Sequence, residues 1–428
     1  MKTTPNGKDL YNLIEKLFPI NRSITGDGVR ETLSIISGII PLEITEIPSG
    51  TKVLDWEIPF EWNIKDAWIK NSRGETIVDF QQSNLHVLNY SIPVNKQLNL
   101  SDLKEHLFTN PEMPDHIPYR TSYHNPNWGF CLPHNQFTNL ADETYEVFID
   151  STLAPGSLTY GEYLIKGTTD EEVLISTHIC HPSLANDNLS GIAVATFLAK
   201  QLMQSKAKYS YRFLFVPSTI GSIAWLSRNE KTVQNIKHGL VLTLLGDSSM
   251  FYYKKTRRAR TEIDRIVIKV LNDLEKKHKV IDFYPYGYDE RQYCSPSFNL
   301  PVGRLSRKPH GEFPEYHTSA DNLDFVKPEK LEESLELIST VLEEIERQEV
   351  YLNLYPKGEP MLGKRGLFKV IGGDAQSKDL QMAILWMLNM SDGDHSMCFI
   401  SELSGIDMET IQRAKELLLG VELLKKLI

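Results

Sequence analysis

Two histidines, an aspartate between two asparagines, and a Ser-Gly pair are crowded into His178-Ile-Cys180-His181-Pro-Ser-Leu-Ala-Asn186-Asp187-Asn188-Leu-Ser190-Gly191. The apolar run Val173-Leu174-Ile175 before it reads as a strand and the apolar run after Gly191 as a helix, so these side chains occupy a loop at a strand's carboxyl end. Open α/β sheets keep their chemistry at such loops. Imidazole nitrogens and carboxylate oxygens are zinc donors, and placing them within ten residues of one strand supplies two ligands without a long loop closure. Taken singly, either histidine is more often a hydrogen-bonded structural residue, and Asp187 reads as a helix N-cap in a turn. Capping accounts for the aspartate and leaves the histidines unexplained.

Three further loops belong beside the first. Tyr211 to Val216 runs into Pro217-Ser218-Thr219-Ile220-Gly221-Ser222, and Gly239 to Leu245 runs into Gly246-Asp247-Ser248. The segment Glu315-Tyr316-His317-Thr318-Ser319-Ala320-Asp321-Asn322 precedes the last long helical pattern. Loops from neighbouring parallel strands converge at one sheet edge, which would bring His178, Asp187, Asp247 and His317 together on one or two metal ions. Gly287-Tyr-Asp289-Glu290-Arg291-Gln292 reads as another loop lining that cleft. His181, Asp289, Glu290 and Glu312 are alternative ligands or bases, with a surface charge or structural ion pair as the competing reading of each. Asp289, Arg291 and Tyr316 are the expected substrate-facing residues, the planar fork of Arg291 being suited to a carboxylate.

The elements that must position these loops alternate regularly between about 146 and 350. Strand patterns at 173–176, 211–216, 239–245, 280–284 and 301–305 are separated by helical patterns, ending in a helix from Pro328 to about Gln348. This predicts an α/β fold with a mainly parallel central sheet and helices on both faces. Residues 1–52, which open with two helical patterns around the turn Arg22-Ser23-Ile24-Thr25-Gly26, are expected to join it. That turn reads as Ser/Thr-capped, with ligand binding by Arg22 and Ser23 as the alternative. Residues 53–145 change texture to short alternating runs between Pro, Asn and Gly turns, with one helix near 101–107, and predict an inserted, mainly β domain. The run Ile117-Pro-Tyr119-Arg120-Thr-Ser-Tyr123 within it reads either as cover for the cleft or as the core of that domain. Residues 351–428 have a winged-helix-like outline. They carry nine Lys and Arg against ten Asp and Glu, so protein contact or self-association is expected there rather than nucleic-acid binding.

Composition narrows the class further. With 428 residues, 41% hydrophobic and 24% charged, the chain is long enough for two or three domains with sizeable cores. A formal net charge of −10 disfavours a general nucleic-acid or anionic-membrane binder. Cys131, Cys180, Cys294 and Cys398 are widely spaced and read as reduced thiols. The N-terminus has no apolar stretch of the export type and no run is long enough to span a bilayer, so a cytoplasmic protein is expected.

Asn186-Asp187-Asn188-Leu-Ser190-Gly191 and Tyr316-His317-Thr318-x-x-Asp321 resemble motifs of the zinc-dependent exopeptidases that include leucyl aminopeptidase and glutamate carboxypeptidase. The turn Phe18-Pro-Ile-Asn-Arg22-Ser23-Ile-Thr25-Gly26 and the segment Trp128-Gly-Phe-Cys131 are similar to a narrower bacterial aminopeptidase-like group, with an inserted β domain and a C-terminal winged helix, often linked to surface-glycan biosynthesis. The resemblance spans nearly the whole chain. It implies that His178 binds a first zinc, Asp187 bridges two, and His317 binds the second.

Four positions depart from that pattern. Cys180 stands where an aspartate would orient His178, Thr243 where a further aspartate ligand would lie, and Ser218-Thr219 where active members carry a Glu pair of base and ligand. A neutral hydroxyl is a poor base, and loss of the base commonly costs about 10²- to 10⁴-fold in rate. Fewer carboxylates also favour one zinc over two. The expectation is a metal-dependent aminopeptidase-like hydrolase of a small peptide or amide, impaired at Ser218. The alternative is an inactive binding or scaffold protein of the same fold, linked to surface-glycan biosynthesis.

Overall fold

The computed structural model describes residues 5–123, 125–367 and 375–427. The chain forms two compact units, one of Met1–Ala259 with Leu271–Ser339 and one of Arg260–Val270 with Thr340–Ile428.

The first unit is built on an eight-stranded sheet in the order Glu43–Pro48, Ser157–Ile165, Ser210–Val216, Glu172–His178, Ile236–Leu242, Val302–Ser306, Phe251–Lys254, His278–Ile281. Its four middle strands are mutually parallel. Antiparallel pairings flank them on both sides, so the sheet is mixed with a parallel centre. Every residue of Glu172–His178 and Ser210–Val216 is buried, as expected for strands covered on both faces. Their parallel register sets His178 beside Val216, which fixes where the two following loops meet.

The strand expected to reach Leu245 ends at Leu242. Beyond it the backbone amides leave the ladder for side chains of the Asp187 turn. Leu244 N donates to Asn188 Oδ1 (3.3 Å), Leu245 N to Ser190 Oγ (2.8 Å) and Gly246 N to Asn186 Oδ1 (2.8 Å). Three polar residues that read as turn-formers thus stitch two loops together at the sheet edge, where each buried amide needs a partner.

An antiparallel four-stranded sheet, in the order Thr76–Asp79, Glu61–Lys70, Thr144–Ala154, Val94–Asn99, takes three strands from residues 53–145 and a central strand that runs on past the expected boundary to Ala154. Ala67, Ile69, Val78, Val147, Ile149, Trp128 and Phe130 are among its buried core. The segment before Trp128 does something else. Pro118 bridges Thr318, Tyr119 N donates to the His317 carbonyl (2.7 Å) and Ser319 N to the Ile117 carbonyl (2.8 Å).

The second unit has a three-stranded antiparallel sheet with Val350–Asn353 between Asp392–Ser396 and Leu424–Lys426. Helices Ala375–Met390, Met397–Ser404 and Met408–Gly420 pack on a core that includes Leu380, Ile384, Met387, Ile400, Ile411 and Leu418. All four cysteines are free thiols. Among the described residues, no helix is long and apolar enough to cross a membrane.

Candidate metal centre

His178 ends its strand fully buried, and its Nε2 lies 2.9 Å from Asp187 Oδ1. His181 reaches the same oxygen with Nδ1 at 3.4 Å. From a third loop, His317 places Nε2 at 3.3 Å from Asp187 Oδ2. Donor atoms of His178, His181 and Asp187 all fall within 4.8 Å of one another. Asp187 is thus ringed by three imidazoles, His181 standing edge-on to both His178 and His317, with ring centroids 4.8 and 4.9 Å away.

Each member is held from outside the ring. Asp321, fully buried, accepts from Asn186 N (2.6 Å) and Asp187 N (2.8 Å) and so fixes the aspartate turn. Arg22 is a buried clamp rather than a turn cap or ligand contact: its guanidinium donates to the carbonyls of His181 (2.8 Å), Pro182 (3.1 Å) and Leu17 (2.7 Å). Burial lowers its pKa to about 9. Asn188 Nδ2 sits 3.2 Å from His178 Nδ1, at the edge of the imidazole, and donates to the His178 carbonyl (3.1 Å). The Cys180 thiol turns to the Ser218 carbonyl (3.8 Å). Tyr288 stacks on His178 at 4.7 Å and donates its hydroxyl to Asp187 Oδ1 (3.3 Å). His317 takes a left-handed φ of 54°, uncommon for a residue with a Cβ and held here by the Tyr119 bond to its carbonyl.

Burial pushes the Asp187 carboxyl up, but the surrounding histidines outweigh it and hold the group well below the usual carboxylate range. Burial drives His178 down, and His317 down to about 4. An ionised carboxylate beside the neutral imidazoles of His178 and His317 presents lone pairs to a cation. Asp187 Oδ2 and His317 Nε2 are both buried and face each other at 3.3 Å, and neither has a well-formed hydrogen bond among the described residues. Three nitrogens and one oxygen are zinc-type donors, of which a four-coordinate catalytic site takes three and keeps one position open.

The cleft in front of this group, about 480 Å³, is lined by Tyr119, Tyr123, His181, Ser218, Arg291, Tyr316 and His317 among others. Tyr119 and Tyr123 therefore cover the cleft.

Two sequence assignments need correction. Asp247 does not join the histidines: Oδ2 accepts from Asn186 Nδ2 (2.9 Å) and Oδ1 from Ser249 N (2.7 Å), because the early end of its strand turns it toward the asparagine. Asp289 does not face a substrate. It is wholly buried behind the cleft wall, where Ser222 Oγ donates to its Oδ1 (2.7 Å). Glu290 is likewise internal, paired with Lys254 at 2.9 Å. Arg291 and Tyr316 do line the cleft, with Arg291 Nε buried and unpartnered among the described residues.

A sheet edge carrying this cluster defines an aminopeptidase-like α/β fold, and solved structures agree. The zinc aminopeptidase BSAP from Bacillus subtilis superposes with a TM-score of 0.57 at 13% identity, covering 80% of this chain and 96% of its own. The aminopeptidase from Aneurinibacillus sp. strain AM-1 gives 0.51 at 14%, covering 80% and 94%. The chain itself belongs to the family described as "Domain of unknown function (DUF4910)", whose model matches residues 11–348; a winged helix-turn-helix model matches 349–426. It is 53% identical over 423 residues, 99% of this chain and 97% of the relative, to a Clostridium acetobutylicum protein named "Putative polysaccharide biosynthesis protein with aminopeptidase-like domain". A crystal structure from the same organism, described as a "putative peptidase", matches with a TM-score of 0.82 at 53% identity, covering 98% and 96%.

Proposed function

We propose that the chain is a metal-dependent, aminopeptidase-like hydrolase of small peptides or amides that holds one zinc ion through donors drawn from His178, His181, Asp187 and His317. The observation that carries this is the buried pair Asp187 Oδ2 and His317 Nε2, facing each other at 3.3 Å without a well-formed hydrogen bond among the described residues, inside a ring of nitrogen donors. A zinc ion held there by three of these donors would supply Lewis acidity toward an amide carbonyl and would lower the pKa of a water in its open position toward about 7. Asp321, Arg22 and Asn188 keep the donors oriented, the kind of outer support that commonly contributes about 10- to 100-fold in metal affinity. Arg291 offers its unpartnered Nε to a substrate carboxylate, and Tyr119, Tyr123 and Tyr316 enclose the adjoining part. The test is turnover of aminoacyl amides and N-acyl amino sugars with zinc, manganese or cobalt supplied. Activity above a His178→Ala control is expected, and none under any metal would end this reading.

A second reading has an observation of its own. Ser218 and Thr219 occupy the loop that carries the Glu pair in the exopeptidases the chain resembles, which favours a non-catalytic binding protein. The named role of the Clostridium acetobutylicum relative would place such a protein in polysaccharide biosynthesis. Metal-dependent hydrolysis by the unaltered chain would remove it.

A further inference from the structure

An aminopeptidase must hold the free ammonium of its substrate, and an ammonium in a partly closed cleft needs a carboxylate to answer it. The cleft in front of the metal centre is built the other way. Its lining contains two arginines, Arg120 and Arg291, and no aspartate or glutamate among the described residues. Ser218 and Thr219 contribute only hydroxyls. The one carboxylate of the metal centre is committed to the imidazoles around it, with His178 and His181 facing Asp187 Oδ1 and His317 facing Oδ2.

The acids behind the cleft wall are occupied elsewhere. Asp289 Oδ1 accepts from Ser222 Oγ at 2.7 Å, and Glu290 Oε1 lies 2.9 Å from Lys254 Nζ and 3.6 Å from Arg304 Nη1. Lys254 and Arg304 are directly opposed on neighbouring antiparallel strands, so two buried cations share the Glu290 carboxylate. Like charges opposed across a ladder are unfavourable without an anion to answer them. Arg304 is wholly buried, and none of its three guanidinium nitrogens has a hydrogen-bond partner among the described residues. Its guanidinium carbon stands 5.8 Å from the ring of Tyr288, which lines the cleft. Burial holds Asp289 up at about 7, so at neutral pH it offsets this charge only in part. Arg291 itself lines the cleft, and its buried Nε has no hydrogen-bond partner among the described residues. A carboxylate, with two oxygens that match the guanidinium fork, is the natural partner for such a group.

Resting on the hydrolase reading, we propose that the cleft takes N-acylated amines that carry a carboxylate, such as N-acyl amino acids, that Arg291 holds the carboxylate, and that substrates with a free ammonium are excluded. The positive charge of Arg291 and of the cations behind the wall draws in such an anion and repels an ammonium. In the hydrolysis, water adds its oxygen to the acyl carbon and the C–N bond breaks. The amine leaves with a proton from that water, so an N-acyl amino acid gives a carboxylic acid and an amino acid. An acidic N-acyl amino sugar has the same two features, and the probes below separate the two sources.

Binding is measured by calorimetry on the metal-free full chain, so that the readout does not depend on turnover. The probes are a panel of N-acetyl amino acids, their methyl esters, the matching amino acid amides with a free amine, and N-acetylmuramic acid as an N-acyl amino sugar with a carboxylate. The acids are expected to bind about 10- to 100-fold tighter than the esters and the free-amine amides, the margin of a hydrogen bond to a charged group. Whichever of the N-acetyl amino acids and N-acetylmuramic acid binds tighter identifies the source. Arg291→Met should erase the preference for acid over ester while leaving ester binding unchanged. Arg291→Glu should invert the preference in favour of the free-amine amides, which a merely structural role for Arg291 would not produce. Equal or tighter binding of the free-amine amides by the unaltered chain, an acid preference that survives Arg291→Met, or no binding of any acid would overturn the proposal. Turnover of free-amine amides with zinc supplied would overturn it too, and would leave the hydrolase reading standing. Arg291-dependent binding of the acids with no turnover under any metal would instead end the hydrolase reading and leave the carboxylate site as that of a binding protein.

Discussion

The two walls of the cleft are built in opposite ways. On one, His178, His181 and Asp187 come from ten consecutive residues after a buried strand, so the strand's register alone nearly sets their positions. On the other, Ser222 and Asp289 come from segments about seventy residues apart, and their contact depends on how a helix start packs behind a loop. Local crowding makes a donor set robust, because any fold that keeps the strand keeps the donors together. A contact assembled across the sheet edge depends instead on how two distant segments pack.

The first wall breaks most completely at its centre. Asp187→Ala removes the only carboxylate in the donor ring and should abolish stoichiometric zinc retention, measured by elemental mass spectrometry after desalting. Next comes its clamp. Arg22→Ala leaves three buried carbonyls without their charged donor, each worth about 1–3 kcal/mol, and a loss of about 3 kcal/mol or more is expected in urea unfolding. Asp321→Asn exchanges one acceptor for a donor opposite the Asn186 and Asp187 amides. It should weaken zinc affinity by about 10- to 100-fold in a competition assay with a chelating dye, with the fold intact by circular dichroism.

The second wall is sharpened by pH, with a smaller effect. The folded-state pKa of Asp289 lies at about 7, above its ordinary 3.8, so the folded chain binds more protons than the unfolded chain between these values. This contribution is fully present below about pH 4 and is lost as pH rises through about 7. Asp289→Asn should flatten the fall in stability over that window, read from urea midpoints at a series of pH values.

What the sequence made legible follows the same division. His178, Asp187 and His317 could be named because donor types recur at fixed offsets from a strand or within a short motif. The alternation of strands and helices likewise announced an α/β sheet, though the antiparallel flanks and exact strand ends depend on which amides find ladder partners. Asp247 shows the difference: Asn186, Asn188 and Ser190 draw the amides of residues 244–246 out of the strand, and the aspartate follows. Arg22 holds His181 through backbone carbonyls, which carry no residue identity for a sequence pattern to reveal. Tyr288 acts by stacking on His178 from a loop about 110 residues away, a contact that only the packed fold creates.

Metal content per chain tests the central claim most directly. Protein prepared without chelator and supplied with zinc should carry about one zinc per chain, and a His178→Ala, His317→Ala double variant should carry none. No zinc in the unaltered chain, or equal zinc in the double variant, would contradict a metal centre at these residues.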